Sequence, residues 1–232
     1  ISADVTLNSS STVDNTSPFS NSDSVGVSAS ITLNEVRGGA TVSIDDATVS
    51  AVGGHIDVSA IENASLTASM DIDSESSGGS QFGSGTSFTF GGLIATNTLQ
   101  GGATVTVTDS TLDNTSTVSD ADNGNIIVSA DNTATLTADV NNGISSGDQA
   151  IGFTLAFNSI GWASQNVLFN TVDALIGDPA VANAFGDNVG SNAIVTFLDS
   201  TAKATGSTSI TARAGATLTS DITNTTTSAA SA

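Results

Sequence analysis

Gly54-His55-Ile56-Asp57-Val58-Ser59-Ala60 returns as Gly124-Asn125-Ile126-Ile127-Val128-Ser129-Ala130 and again as Gly206-Ser207-Thr208-Ser209-Ile210-Thr211-Ala212. Each copy runs without a gap into a second block. These blocks are Ala64-Ser65-Leu66-Thr67-Ala68, Ala134-Thr135-Leu136-Thr137-Ala138 and Ala216-Thr217-Leu218-Thr219-Ser220. Inside the blocks apolar and polar residues alternate: Ile126, Val128 and Ala130 point one way, Ile127 and Ser129 the other. Period two with one apolar face is the pattern of a half-buried strand. Asp131-Asn132-Thr133 reads as a short turn, after which Ala134, Leu136 and Ala138 resume the alternation.

A second element repeats upstream. Gly38-Gly39-Ala40-Thr41-Val42 recurs 63 residues later as Gly101-Gly102-Ala103-Thr104-Val105, with a degenerate third copy at Ser191-Asn192-Ala193-Ile194-Val195. Turns follow at Asp46-Ala47, Asp109-Ser110 and Asp199-Ser200. Spacing varies only between the blocks, as in solenoids, where insertions leave as loops while the stacked core keeps its register. The chain therefore reads as one elongated all-β repeat domain over residues 1–232, with imperfect repeats near 25–87, 88–150 and 151–232. A sandwich unit needs about seven strands in roughly 100 residues, more than this repeat supplies, and a parallel β-helix is preferred. Cut into strands of about five residues, each repeat makes three coils of about 20 residues. Ten or eleven such coils, stacked at about 4.8 Å, give a rod of roughly 50 Å.

Composition narrows the function. The 232 residues carry Lys+Arg 3 against Asp+Glu 23, a net charge of -20, with Phe 9, Trp 1, Tyr 0 and Cys 0. Nucleic acid and anionic membranes both require basic patches, and only Arg37, Lys203 and Arg213 are cationic. No apolar run approaches the roughly 18 residues of a spanning helix, so no membrane insertion is expected. The lack of cysteine, the scarcity of lysine and the wealth of Asp, Asn and Thr suit an exported bacterial protein. Its targeting signal is expected to lie outside this segment. The first and last residues both fall inside the repeat, which suggests a piece of a longer rod or a subunit stacked on its neighbours.

The Gly-x-Ile-x-Val-x-Ala and Ala-x-Leu-x-Ala blocks resemble the β-helical repeats of filamentous-haemagglutinin-type exoproteins and related giant bacterial adhesins. The resemblance covers most of the chain outside the third-copy insertion. It implies an extracellular structural or adhesive rod at the bacterial cell surface, and it carries over no catalytic residue.

One stretch departs from the repeat. From Gly161 to Ile176, Leu168, Val172, Leu175 and Ile176 fall at helical spacing, with Gly177 as a C-cap. Asp178-Pro179 then opens a second short helix. A small helical insertion is expected over 162–186, with Trp162, Leu168, Phe169, Val172 and Phe185 as the candidate interface to a neighbouring copy.

Chemistry is sparse. His55 is the only histidine, and its aligned positions hold Asn125 and Ser207, so a solvated strand-edge side chain is expected. No Cys or second His completes a triad. Asp71, Asp73 and Glu75, and Asp120 with Asp122, are acidic pairs assigned to loops and are the candidate calcium ligands. Calcium needs six to eight hard oxygens, and Asp120-Ala121-Asp122-Asn123-Gly124 has its glycine one residue too early for an EF-hand loop. Calcium is the one cofactor suggested. Thr104, Thr106 and Thr108 invite an ice-binding reading, which Phe197 at the position of Val107 argues against. The expectation is a non-enzymatic rod whose partners are copies of itself, the rest of a longer chain, or cell-surface glycan. The alternative is a glycan-binding or glycan-cleaving β-helix.

Overall fold

Alternation beginning at Ile56 continues unbroken for 22 residues, and the chain follows it as a single strand, Ile56–Ser77. The computed structural model describes residues 2–14, 23–77, 85–116, 124–161 and 190–228. These residues form thirteen strands. In the first coil these are β1 (Ser2–Asp14), β2 (Ser24–Arg37), β3 (Ala40–Asp45) and β4 (Thr48–Ala51). The second has β5 (Ile56–Ser77), β6 (Ser87–Gln100), β7 (Ala103–Thr108) and β8 (Thr111–Asn114). The third has β9 (Ile126–Ser146), β10 (Gln149–Ile160), β11 (Ala193–Leu198) and β12 (Thr201–Ala204), and β13 (Thr208–Ser228) begins a fourth. Every pairing is parallel and joins one coil to the next. The result is a parallel β-solenoid with four sheets: A (β1-β5-β9-β13), B (β2-β6-β10), C (β3-β7-β11) and D (β4-β8-β12).

The coil is much larger than its strand pattern suggested. One 63-residue repeat makes one turn, not three, so the described stack is three coils and a strand. At about 4.8 Å per strand, the four strands of sheet A rise only about 14 Å. The error lay at Asp131-Asn132-Thr133, which is continuous strand inside β9. Asn132 points inward and is buried there, between Ala130 and Ala134 on the same face.

Two kinds of cross-section share each coil. The first residues of β5 and β9 close a triangular core with sheets C and D, where Ile56, Val58, Val105, Val107, Leu112, Ile126 and Val128 pack together. Their later residues form a two-layer slab with sheet B: Leu66 and Leu136 meet Leu99, and Met70, Ile72 and Val140 meet Leu93. Fully burying each such side chain is worth about 1.5–3 kcal/mol.

Stacking dictates the special residues. Asp46, Asp109 and Asp199 turn each coil from sheet C into sheet D at φ 46°, 47° and 49°, a left-handed conformation that Asp tolerates in turns. The Ser110 hydroxyl accepts from the Ala47 amide of one coil, and Ser200 Oγ accepts from the Ser110 amide in turn. At the corner between sheets B and C, a Cβ on Gly39 would sit 2.7 Å from the Gly102 carbonyl oxygen, and one on Gly102 would sit 2.4 Å from that of Asn192. Asn192 itself has no described residue stacked beyond it, and a side chain fits there.

The slab is fastened by a column of asparagines. Asn34 Nδ2 donates to Asn97 Oδ1 at 3.0 Å and to the Thr67 carbonyl across the slab at 2.7 Å. Asn97 repeats this one coil on, donating to Asn158 Oδ1 at 2.8 Å and to the Thr137 carbonyl at 2.7 Å. Asn158 donates to the Thr219 carbonyl at 2.6 Å and to Ser220 Oγ at 3.0 Å. Each amide thus joins its own sheet along the stack and the opposite sheet across it.

Two outcomes are expected. Asn97→Ala strips partners from Asn34, Asn158 and Thr137 together, and should lower stability by about 3 kcal/mol in urea unfolding. Asn158→Ala, at the more exposed end, should cost less. Gly102→Ala should prevent cooperative folding, read as loss of a sharp melting transition, because the clash is with backbone. Gly53→Ala, with nothing within 4 Å of the added atom, should leave the transition where it is.

Candidate functional site

Polar chemistry gathers in three places: the outer face of sheet A, the interior near Asn132, and the outer turns. On sheet A the strand period sends Asp71, Asp73 and Glu75 outward from β5, while Ile72 and Ser74 between them and Ser76 after them are buried. These acids therefore lie on a strand rather than on the expected loop, because the alternation of β5 extends through them. The three project on one side at intervals of about 6.6 Å. Their axial neighbours on β9 are Asn141, Gly143 and Ser145, and Asn141 Nδ2 donates to Asp71 Oδ1 at 3.1 Å. A linear acidic edge results, not a cage. Among the described residues no three His, Asp or Glu side chains converge as a metal ion would require. Asp120 and Asp122 lie outside the described residues, as does the insertion expected over 162–186 with Trp162, Leu168, Phe169, Val172 and Phe185.

Inside the coil, Glu62, Asn132 and Ala214 share one inward column. Asn132 Nδ2 donates to Ser191 Oγ at 3.2 Å and to the Gly101 carbonyl at 3.4 Å. The oxygens Glu62 Oε1 and Asn132 Oδ1 are buried without a hydrogen-bond partner among the described residues. Where the column narrows to Ala214, a cavity of about 190 Å³ opens beside Asn132, Ile160, Ser191 and Gly215. Ligand sites usually enclose about 300–1,000 Å³, so this space suits a few waters rather than a sugar. Neither Glu62 nor Asn132 was singled out from the sequence. Their signal was a polar residue in phase with an apolar face, which had been read as a turn.

His55 is exposed in the turn ahead of β5, at the axial position of Asn125 and Ser207. Asn125 Oδ1 accepts from the Ser207 amide at 2.8 Å and its hydroxyl at 3.0 Å, so these positions cap coils. The three cations are dispersed over different sheets: Arg37 on β2, Lys203 on β12 and Arg213 on β13. Arg37 Nε bonds Glu35 Oε1 at 2.6 Å. Thr104, Thr106 and Thr108 do face outward on β7. Their ladder is broken by Ile194 and Leu198 on the same outer face of β11, and Phe197, which pairs with Val107 and packs against the triangular core, is not the interruption.

Electrostatics single out a turn clamp. Asp23 Oδ1 accepts from the Thr86 amide at 2.9 Å and from its hydroxyl at 2.8 Å. The amide bond chiefly, and the hydroxyl bond with it, hold the Asp23 carboxyl below its ordinary value. Because the folded value is depressed, the clamp's contribution is present above the ordinary carboxylate range and is lost as pH falls through the folded value. The urea midpoints of wild type and Asp23→Asn should therefore differ slightly at neutral pH and converge under acid.

Comparison with protein-family models, with curated proteins and with solved structures finds no match.

Proposed function

We propose that the chain is a non-enzymatic, extracellular rod segment of a large bacterial surface or filament protein, able to stack axially on further coils. The observation that supports this most is the axial register of sheet A. β13 lies on β9 as β9 lies on β5, with Ile210, Val128 and Val58 in one inward row. Length changes are confined to the segments between strands. The register offset rises from 61 residues at Phe88–Gln149 to 90 at Ala103–Ala193 without disturbing either pairing. Such a stack has no inherent limit. On β13 the inward Ile210, Leu218 and Ile222 are each nearly half exposed, which leaves an apolar platform for another coil of the same polypeptide or of a neighbouring copy.

Polar chemistry supports the structural reading. The cations stand on separate sheets, the acids of β5 form an open edge, and the interior cavity is smaller than a sugar site. The resemblance to filamentous-haemagglutinin-type repeats agrees with this assignment and suggests adhesion as the purpose of the rod.

Electron microscopy of the purified chain should show thin filaments many molecules long. Ile210→Lys with Leu218→Lys should shorten them to single particles of unchanged circular dichroism. Single particles from the wild type would count against axial stacking. Binding of a neutral glycan, or release of reducing ends from it, that Asp71→Asn or Asp120→Asn abolishes would favour the glycan-acting alternative.

A further inference from the structure

The first half of sheet B is built with its polarity reversed. The inward face of β2 is Ser24, Gly26, Ser28, Ser30, Thr32 and Asn34, followed by Val36, while Val25, Val27, Ala29, Ile31 and Leu33 face out. Val25, Val27 and Ile31 are 60%, 61% and 67% exposed. On β6 the outward residues include Phe88, Phe90 and Ile94, above an inward Ser87, Thr89 and Gly91. On β10 they include Ile151, Phe153 and Leu155, while Ala150, Gly152, Thr154 and Ala156 face in. Axial pairing aligns these residues in rows, Val27–Phe90–Ile151 and Ile31–Ile94–Leu155. A sheet with one face in water ordinarily carries its polar residues on that face. Over its first half each strand of sheet B does the opposite, and farther along the inward Leu93, Ala95 and Leu99 of β6 return to the usual pattern.

We propose that this outer face of sheet B is a lateral interface that packs against the same face of a second copy. Charge selects the occupant. Sheet A sends Asp57, Asp71, Asp73, Glu75, Asp139 and Asp221 outward, whereas the outward residues from Val25 to Leu33, Phe88 to Thr96 and Gln149 to Leu155 include no charge. In a chain of net charge -20, two copies can meet on this face without opposing acids, and the acidic faces of sheet A then point away from each other. A two-fold pairing gives each apolar row an equivalent apolar partner, as in the core of a sandwich. A lipid surface fits less well, since anionic headgroups repel the chain and the face has neither Trp nor Tyr to settle at an interface.

Area sets the strength. Five rows at about 6.6 Å and three strands at about 4.8 Å make a patch of roughly 400 Å². That lies in the range of the largest patches on monomers. Two such faces bury less than the roughly 1,200 Å² typical of stable complexes. Pairing of three coils is accordingly concentration-dependent, and each added coil enlarges the interface. The inference is independent of axial stacking, which uses the coil edges.

Sedimentation equilibrium across a concentration series tests it in the chain carrying Ile210→Lys and Leu218→Lys, where axial stacking is blocked. The apparent mass should approach twice that of the chain, and Ile31→Glu with Phe153→Glu should return it to the monomer value with unchanged circular dichroism. With the axial edge blocked, association that survives those substitutions would overturn the lateral interface while leaving the rod reading intact. Should the double variant fold poorly, the absence of native cysteine allows a second test. A short bis-maleimide should join two copies through Ile94→Cys, and not through Thr135→Cys on the outer face of sheet A. An axially blocked chain that is monomeric at every concentration overturns the proposal, as does equal joining through both cysteines. Flotation of monomer with neutral phosphatidylcholine vesicles overturns it in favour of a lipid surface.

Discussion

Parallel in-register stacking is the constraint on which the other features of this structure depend. Each coil repeats the backbone path of the one before it at about 4.8 Å, so side chains at equivalent positions meet directly. Corners must then be glycine where a Cβ would strike the next carbonyl, as at Gly39 and Gly102. Left-handed turns must recur at the same place, which Asp46, Asp109 and Asp199 provide. Extra residues can leave only where no ladder is being made. Between β8 and β9 there are 11 residues where the coil before has 4 between β4 and β5, yet Ile56 still lies on Ile126.

The same constraint explains the buried asparagines. Across the three strands of sheet B, aligned by their pairing, Asn34, Asn97 and Asn158 are the sole position of full identity. An inward asparagine needs partners for its amide, and stacking supplies one of them automatically in the next coil. The other bond crosses the slab to Thr67, Thr137 or Thr219. An unpaired buried amide would cost roughly 1–3 kcal/mol, whereas a complete ladder ties both sheets to a single register.

Fold class was legible in the sequence because repetition and alternation report it directly. Coil size was misread because Asn and Asp were taken as turn signals. The corrective signal was phase. Ile126, Val128, Ala130, Ala134, Leu136, Ala138 and Val140 are all even-numbered, so inward facing persists through 131–133, which a true turn had no reason to preserve. Glu62 and Asn132 went unnoticed for the same reason. The candidate acids Asp71, Asp73 and Glu75 stand out in the sequence as a group, but only the strand placement shows that they form an extended edge. The asparagine column was hidden because sheet B has the least repetitive sequence of the long strands.

Sheet B also shows where alternation stops being informative. Val25, Val27, Ile31 and Leu33 satisfy period two perfectly well, and from pattern alone they would be assigned to the core. Register decides otherwise: Asn34 must face inward to reach Asn97 and Thr67, and that parity turns the valines and Ile31 out. The slab enforces the choice. A Cβ on Gly91 would come within 2.5 Å of Ile144. Small inward residues fill that narrow end of the slab, and the bulky apolar residues of the same stretches are left outside. Narrowness explains why they are not inside. It does not explain why they are apolar, since Ser or Thr would serve an exposed face equally well, and that remaining choice is what a covering partner accounts for.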